Sequence, residues 1–245
     1  MPPLTLRPSG ETRRARVEAL RRGIQQMESP ELDHPVLPTL PALEDLFPGG
    51  GLRRGMVYQL AEGRSLLWSL LAGPSQAGHW IGIVGMGNLG LHAAADAGVD
   101  LDRLVLVPHP GAAWFDATAT LADALDLVVM MPRGPLPSPA ARDRLQGRLR
   151  ERGGTLLVRG QWPGAEGQLF IHTRHWEGLG HGHGILSHQQ LTLAHQHRRE
   201  PRPRLVDISL SAQGIERIHR APVHTLDTTS AAPAATAHRV ERVAG

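Results

Sequence analysis

The sequence predicts an α/β fold in which a mostly parallel sheet carries helices on both faces. Between residues 56 and 159, short apolar segments alternate with longer segments of helical periodicity. Almost no polar residue interrupts the apolar segments, which is typical of parallel strands covered on both faces. Glycine and proline residues separate the segments, as expected where strands and helices begin and end. These observations predict a layered α/β domain in the central part of the chain.

The elements of this domain follow one another in a regular order. The first helix is expected to end near Gly73-Pro74, because proline disrupts a helix interior. Gly98 ends the second helix, and Gly153-Gly154 ends the last one after its start at Ser138-Pro139. The predicted strands span residues 56–60, 79–84, 104–107, 127–131 and 155–159. The predicted helices span residues 65–71, 89–97, 112–125 and 138–152.

Different segments flank this domain. Residues 11–27 form a predicted amphipathic helix with Val17, Leu20 and Ile24 on one face. A proline-rich connector, residues 30–41, joins it to the domain. We therefore divide the chain into an N-terminal helix and connector (1–40), a core (41–160), a basic, histidine-rich extension (161–220) and a disordered tail (221–245). The extension is expected to contain antiparallel strands at residues 168–173, 190–195 and 204–211.

The composition restricts the possible classes of protein. An apolar content of 41% is sufficient for a core, and an aromatic content of 4% means that aliphatic residues build it. The chain has no cysteine, which excludes disulfides and thiolate metal sites. It has no apolar run long enough to span a membrane and no pattern of a secretory signal. We therefore expect a cytoplasmic protein.

The charge is distributed unevenly along the chain. Residues 36–132 contain four Arg and nine acidic residues, whereas residues 133–245 contain sixteen Arg and nine acidic residues. The basic half could contact nucleic acid or an acidic protein, or it could be an ordinary solvated surface. The candidate basic surface consists of Arg142, Arg144, Arg148, Arg152, Arg198 and Arg199.

Histidine is concentrated between residues 172 and 197, where seven of the fourteen histidines lie. Histidine is a common metal ligand, and pairs such as His181 with His183 would lie on one face of a strand. Apart from Glu177, no cysteine or carboxylate lies near these histidines in the sequence to complete a tetrahedral set. We therefore predict no metal centre.

Three segments resemble the RecA family in the same order and at similar spacing. Residues 43–46 followed by 49–55 resemble the lead-in to the phosphate-binding loop. Residues 97–104 resemble the segment that joins the second helix to the third strand. Residues 126–131 lie where the family has its Walker B strand. The resemblance covers about residues 40–160 and implies a RecA-like core.

The residues that would bind and hydrolyse a nucleotide are replaced. The chain has no lysine, so none is available for the phosphate-binding loop, where Arg64 precedes Ser65. Arginine is bulkier and directs its donors differently. The position of the catalytic carboxylate holds Met86, and that of the Walker B aspartate holds Met131; thioethers cannot replace carboxylates there. The degenerate nucleotide-site positions are Glu62, Gly63, Arg64, Ser65, Met86 and Met131. We therefore expect no enzymatic activity and no cofactor.

Among RecA-like proteins without these residues, the chain resembles most the ImuA-prime branch of the ImuA family. It also shares the segment 137–140, an arginine-rich helix and a basic C-terminal region. The resemblance implies a role in damage-induced (SOS) mutagenesis. It implies as partners an ImuB-type Y-family polymerase homologue and an error-prone C-family DNA polymerase in translesion synthesis, with RecA a possible further partner and indirect or weak contact to DNA.

Candidate partner contacts are Val17, Leu20, Ile24, Trp114, Trp162 and Trp176. The three tryptophans lie in or near predicted loops, and these apolar residues could instead pack against the protein's own core. Two other functions stay open on the same residues. One is a cell-division inhibitor of the SulA type, which is also RecA-like and binds no ATP. The other is a RecA modulator or DNA-binding protein that acts without a polymerase.

Overall fold

The structure is a computed structural model that describes residues 36–61, 63–177, 188–211 and 214–218. The predicted helix at 11–27, with Val17, Leu20 and Ile24, lies outside the described residues. The predicted tail at 221–245 and Glu62 also lie outside them.

A nine-stranded sheet forms the centre of the described chain, and it confirms the predicted α/β class. The first two strands form a separate two-stranded sheet, and the other nine form the large one. The strands are β1 (Val36–Pro38), β2 (Gly51–Arg53), β3 (Val57–Leu60), β4 (Ile81–Val84), β5 (Leu104–Val107), β6 (Leu127–Met130), β7 (Thr155–Arg159), β8 (Gly167–Glu177), β9 (His188–His197), β10 (Arg204–Ser211) and β11 (Gly214–Arg217). The sheet has the order β11-β10-β9-β8-β3-β7-β6-β4-β5. The strands from β8 to β5 pair in parallel, and those from β8 to β11 pair antiparallel.

Helices cover both faces of the parallel part. They are α1 (Arg64–Gln76), α2 (Leu91–Asp96), α3 (Trp114–Ala122) and α4 (Pro139–Arg152), with 3-10 turns at Pro41–Leu46, Leu101–Arg103 and Gly111–Ala113. Face 1 packs against α1, α2 and the turn Pro41–Leu46. Face 2 packs against α3, α4 and the segment around Trp162. This two-layer cover explains why β4 and β6 are buried along their whole length.

Helix α1 continues past the end that the sequence predicts. Its residues from Leu66 to Ser75 are all buried, and Pro74 lies inside its last turn. A Cβ atom on Gly73 would come within 2.5 Å of the Leu40 backbone nitrogen. Gly73 is therefore needed because the α1 backbone packs closely against the backbone at Leu40. It does not end the helix, because the burial of α1 compensates for the destabilising effect of Pro74.

The end of the predicted proline-rich connector is ordered. β1 pairs antiparallel with β2, and Leu37 between two half-buried neighbours is fully buried. Pro38 does not prevent this pairing, because a two-stranded ribbon leaves one edge of each strand unpaired. A strand of three residues is too short to show a period of two, so no sequence pattern marked it.

The C-terminal strands continue the core sheet. β8 pairs in parallel with β3, so the extension beyond residue 160 shares a sheet with the core. β8 and β9 are longer than predicted, and β11 was not predicted. A register shift between Ile171 and Thr173 lies in the β8–β9 pairing. This irregularity interrupts the alternation of side chains between the faces, which hid the full length of β8 from the sequence pattern.

Candidate functional site

The turn after β3 occupies the position of a phosphate-binding loop. The Ala61 N–H donates to the Leu169 carbonyl at 2.8 Å, which ties the turn to β8. Gly63 is the N-cap of α1 with φ 147°, and no side chain caps this helix end. The Leu67 N–H donates to the Gly63 carbonyl at 3.2 Å. Only three residues therefore separate the end of β3 at Leu60 from the start of α1 at Arg64.

Side chains of β8 lie against this turn. A Cβ atom on Gly63 would lie 2.9 Å from Cδ1 of Ile171 and 3.7 Å from an Nη atom of Arg174. Ile171 packs against the core on face 1. An apolar side chain thus occupies the space beside Gly63.

The hydroxyl of Ser65 has a partner inside the protein. Its Oγ donates to Oε1 of Gln189, on β9, at 2.8 Å. Gln189 is only 5% exposed, and the Ser65 carbonyl accepts from Ser69 Oγ at 2.7 Å. Arg64, which precedes Ser65, is exposed. The serine that would face Mg²⁺ in an intact P-loop therefore holds the C-terminal strands to α1.

The other two predicted positions lie at the same edge of the sheet, at the carboxyl ends of β4 and β6. Met86 is 6% exposed, and Met131 is half-buried against the core on face 1. The Met131 N–H donates to the Val84 carbonyl at 3.0 Å, and Arg133 Nε donates to the Gly85 carbonyl at 2.9 Å. The carboxyl ends of parallel strands are where α/β proteins bind ligands. Met86 and Met131, the positions at which the resemblance to the RecA family predicts carboxylates, place thioether side chains at this edge.

The tryptophans divide into core and surface residues. Trp162 is 1% exposed and Trp114 is 5% exposed, so these two candidate partner contacts belong to the core on face 2. Trp176 is 51% exposed and remains available as a contact. Trp80, 45% exposed at the start of β4, was not selected from the sequence. Because Trp80 directly precedes a buried strand, the sequence pattern suggested that it was part of that strand.

The candidate basic residues differ in exposure and in their partners. Arg144, Arg148 and Arg152 are exposed on α4, whereas Arg142 is half-buried and its Nε and Nη1 atoms have no hydrogen-bond partner. Arg148 pairs with Asp123 at 3.3 Å. Arg198 and Arg199 follow β9 and are exposed.

An ionic cluster at the amino ends of the strands was missed by sequence reasoning. Asp126 accepts from Arg54 at 2.9 Å and contacts His79 Nδ1 at 3.1 Å. Burial disfavours the charged carboxylate, but the hydrogen bonds from Arg54 and His79 outweigh it and lower the pKa of Asp126. Because the three residues are far apart in sequence, no local motif marks this cluster.

A second cluster joins the start of β8 to the end of β9. Glu166, 7% exposed, contacts His197 Nε2 at 2.8 Å and Arg53 at 3.4 Å. The Arg199 N–H donates to His197 Nδ1, so His197 carries its proton on Nε2 and donates it to Glu166. Both nitrogens of His197 are used, which leaves neither for a substrate.

His195 is a buried histidine in the core. Its Nδ1 donates to the Leu46 carbonyl at 3.1 Å, and its Nε2 has no hydrogen-bond partner. Burial lowers the pKa of His195, because a charged imidazolium would lose its hydration. Burial likewise raises the pKa of the neighbouring Tyr58, whose hydroxyl accepts from the Arg53 N–H. These groups are neutral near pH 7 and stabilise the fold.

Over the described ranges, no group of three or more His, Asp or Glu side chains is arranged to hold a metal ion. His181 and His183 lie outside these ranges. None of the described helices is long and apolar enough to cross a bilayer.

The comparisons with known proteins agree with the fold. Residues 45–164 match the family model of the MT3502 N-terminal domain. The uncharacterized protein Rv3395c of Mycobacterium tuberculosis (strain ATCC 25618 / H37Rv) is 40% identical over 128 residues, which cover 51% of this chain. The match spans 63% of the length of that relative.

A solved structure has the same fold at low sequence identity. The KaiC-like protein PH0186 of the hyperthermophilic archaeon Pyrococcus horikoshii OT3 aligns with a TM-score of 0.51 and 13% identity. The alignment covers 76% of this chain and all of that structure. This similarity confirms the predicted RecA-like fold and carries no information on activity.

Proposed function

We propose that this protein is a non-catalytic adaptor in damage-induced mutagenesis. The observation that carries the proposal is that the chain uses its nucleotide-site positions for internal packing. Ser65 is hydrogen-bonded to Gln189, and Ile171 lies against Gly63. The chain also has no lysine that could reach a γ-phosphate. A RecA-like sheet without such a site can still present surfaces to other macromolecules.

The identity of the partners rests on the resemblance to the ImuA-prime branch. We infer an ImuB-type Y-family polymerase homologue and an error-prone C-family DNA polymerase as partners. The adaptor would hold them together during translesion synthesis. The similarity to an uncharacterized mycobacterial protein adds no function of its own.

Trp176 is the described residue best suited to contact a protein partner. It is 51% exposed on β8, opposite the buried Gln189 of β9. Its backbone is fixed by the β8–β9 pairing, so its ring is presented by a rigid element. Large, rigid aromatic side chains of this kind often dominate the binding energy of interfaces.

The experiment is affinity purification of the tagged full-length protein from DNA-damaged cells, followed by mass spectrometry after nuclease treatment. Wild-type protein should recover a Y-family polymerase homologue, and Trp176→Ala should recover much less. Leu101→Ala is the control, because Leu101 is an exposed apolar residue in the 3-10 turn before β5, at the other end of the sheet from β8. A truncation at residue 160 is unsuitable, because it would remove β8 from its pairing with β3.

Two outcomes would contradict the proposal. The first is recovery of a tubulin-like division protein instead of a polymerase, which would favour the SulA-like alternative. The second is a rise in melting temperature with ATP and Mg²⁺, since a ligand that binds only the folded state must stabilise it. We expect no rise for the wild-type protein.

A further inference from the structure

Arginines concentrate at one edge of the sheet. We define the amino edge as the edge at which the parallel strands begin, opposite the edge that holds Ser65, Met86 and Met131. Basic residues reach it from the segments before β3 and β7 and from the turn between β9 and β10. They are Arg53, Arg54, Arg150, Arg152, Arg198, Arg199, Arg202 and Arg204.

Short contacts establish that these segments are neighbours. A Cβ atom on Gly55 would lie 3.1 Å from the Arg150 Cα, and Arg54 Nη1 donates to the Gly153 carbonyl at 3.3 Å. The Arg198 N–H donates to the Glu166 carbonyl at 2.9 Å, and Glu166 also contacts Arg53. Three distant parts of the sequence therefore form one continuous row.

Acidic residues neutralise only part of this row. Asp126 pairs with Arg54, Glu166 is shared by Arg53 and Arg198, and Glu200 pairs with Arg204. Within the described parts of the chain, the remaining four arginines of the row have no acidic partner and are exposed: Arg150, Arg152, Arg199 and Arg202. Arg150 and Arg152 also offset the negative end of the α4 dipole. Arg199 and Arg202 lie in the turn between β9 and β10, so neither of them offsets a helix dipole.

The row has the dimensions of a nucleic-acid strand. From β10, which begins at Arg204, to β7, which follows Arg152, the sheet has four inter-strand steps, which at about 4.8 Å each give a length of about 19 Å. Each strand of a DNA duplex carries one phosphate per about 3.4 Å of its axis, so a strand at this spacing would place about five or six phosphates along the row. Trp80, 45% exposed, directly precedes β4, two strands beyond β7, where a base could stack on its ring.

We propose that the amino edge binds the phosphate backbone of single-stranded DNA. Arginine forms bidentate hydrogen bonds with phosphate, and every cation of the row is arginine. A folded protein partner is less suited, because protein interfaces have an apolar centre. Among the described residues, the large apolar side chains exposed near the row are Leu205, next to Arg204, and Trp80, before β4, so they lie toward its two ends and its centre is basic rather than apolar. The proposal concerns a surface distinct from the nucleotide-site positions and does not require the adaptor role.

The test uses the full chain and a fluorescent oligonucleotide of about 30 nucleotides, with anisotropy measured over a range of salt concentrations. The edge variant combines Arg150→Gln, Arg152→Gln, Arg199→Gln and Arg202→Gln. The control combines Arg64→Gln, Arg144→Gln, Arg159→Gln and Arg174→Gln, which removes the same charge away from the amino edge. Circular dichroism checks that both variants are folded.

The edge variant should bind the oligonucleotide at least tenfold more weakly at about 0.1 M salt. The slope of the logarithm of its affinity against the logarithm of the salt concentration should be shallower by about 3. The control should retain most of the affinity. Trp80→Ala should lower affinity about tenfold for a single strand and leave the salt slope unchanged.

Three results would overturn the proposal. They are absence of wild-type binding at low salt, equal losses in the edge and control variants, and tighter binding of poly-glutamate than of the oligonucleotide. The last result would assign the amino edge to an acidic protein segment.

Discussion

The side-chain hydroxyl of Ser65 donates a 2.8 Å hydrogen bond to Oε1 of Gln189, which lies 124 residues later in the chain. This contact joins the first turn of α1 to β9. The serine at the position predicted to follow the phosphate-binding loop therefore holds two distant parts of the fold together.

Ser65→Ala should destabilise the protein by about 1–3 kcal/mol, because the buried amide oxygen of Gln189 loses its donor. Urea unfolding gives the free energy. The double variant with Gln189→Met should recover most of the loss, since both polar groups are then removed. Equal destabilisation in the single and double variants would contradict a specific pair.

Gly63→Ala should destabilise the protein more than Gly160→Ala. Both glycines have positive φ, 147° and 132°, but only at Gly63 would an added Cβ atom lie within 3 Å of another atom, Ile171 Cδ1. Backbone strain of about 1–3 kcal/mol is common to both variants. Ile171→Val, which removes Cδ1, should reduce the excess cost of Gly63→Ala, as a double-mutant cycle would measure. An unchanged excess would show that Ile171 does not fill the space beside the turn.

Stability should fall as the pH drops below about 6.5, the ordinary pKa of histidine, and through the lower folded-state pKa of His195. The sign follows because the unfolded state binds the proton more tightly than the folded state. His195→Asn retains a donor for the Leu46 carbonyl but does not titrate. The variant should be less stable than the wild type at pH 8, and this difference should shrink toward pH 5. A constant difference in the free energy of unfolding would contradict the assignment.

Trp162→Ala should destabilise the protein by about 3–5 kcal/mol, as expected for truncation of a buried aromatic side chain. Trp176→Ala should change stability by less than about 0.5 kcal/mol, because its ring is half-exposed. Thermal unfolding of the two variants compares them directly. A large loss for Trp176→Ala would remove it as a surface contact.

The sequence by itself determined the α/β class and the central strands. β5 and β7 have the predicted bounds, and α4 begins after its Ser138 cap and ends before Gly153, because local periodicity and capping residues act within one element. Sequence alone also established the absence of lysine, and it located Ser65 at a helix start and Met86 and Met131 at strand ends.

Only the tertiary structure decided what those residues contact. Whether Trp162 is buried, whether Gly73 ends a helix and whether Ser65 has a partner all depend on segments far away in sequence. The same holds for the amino edge, where arginines from three separate segments meet. Hydrophobic periodicity indicates which side of an element is buried, but it does not indicate which distant segment covers that side. The pairing between distant strands could therefore be determined only from the structure.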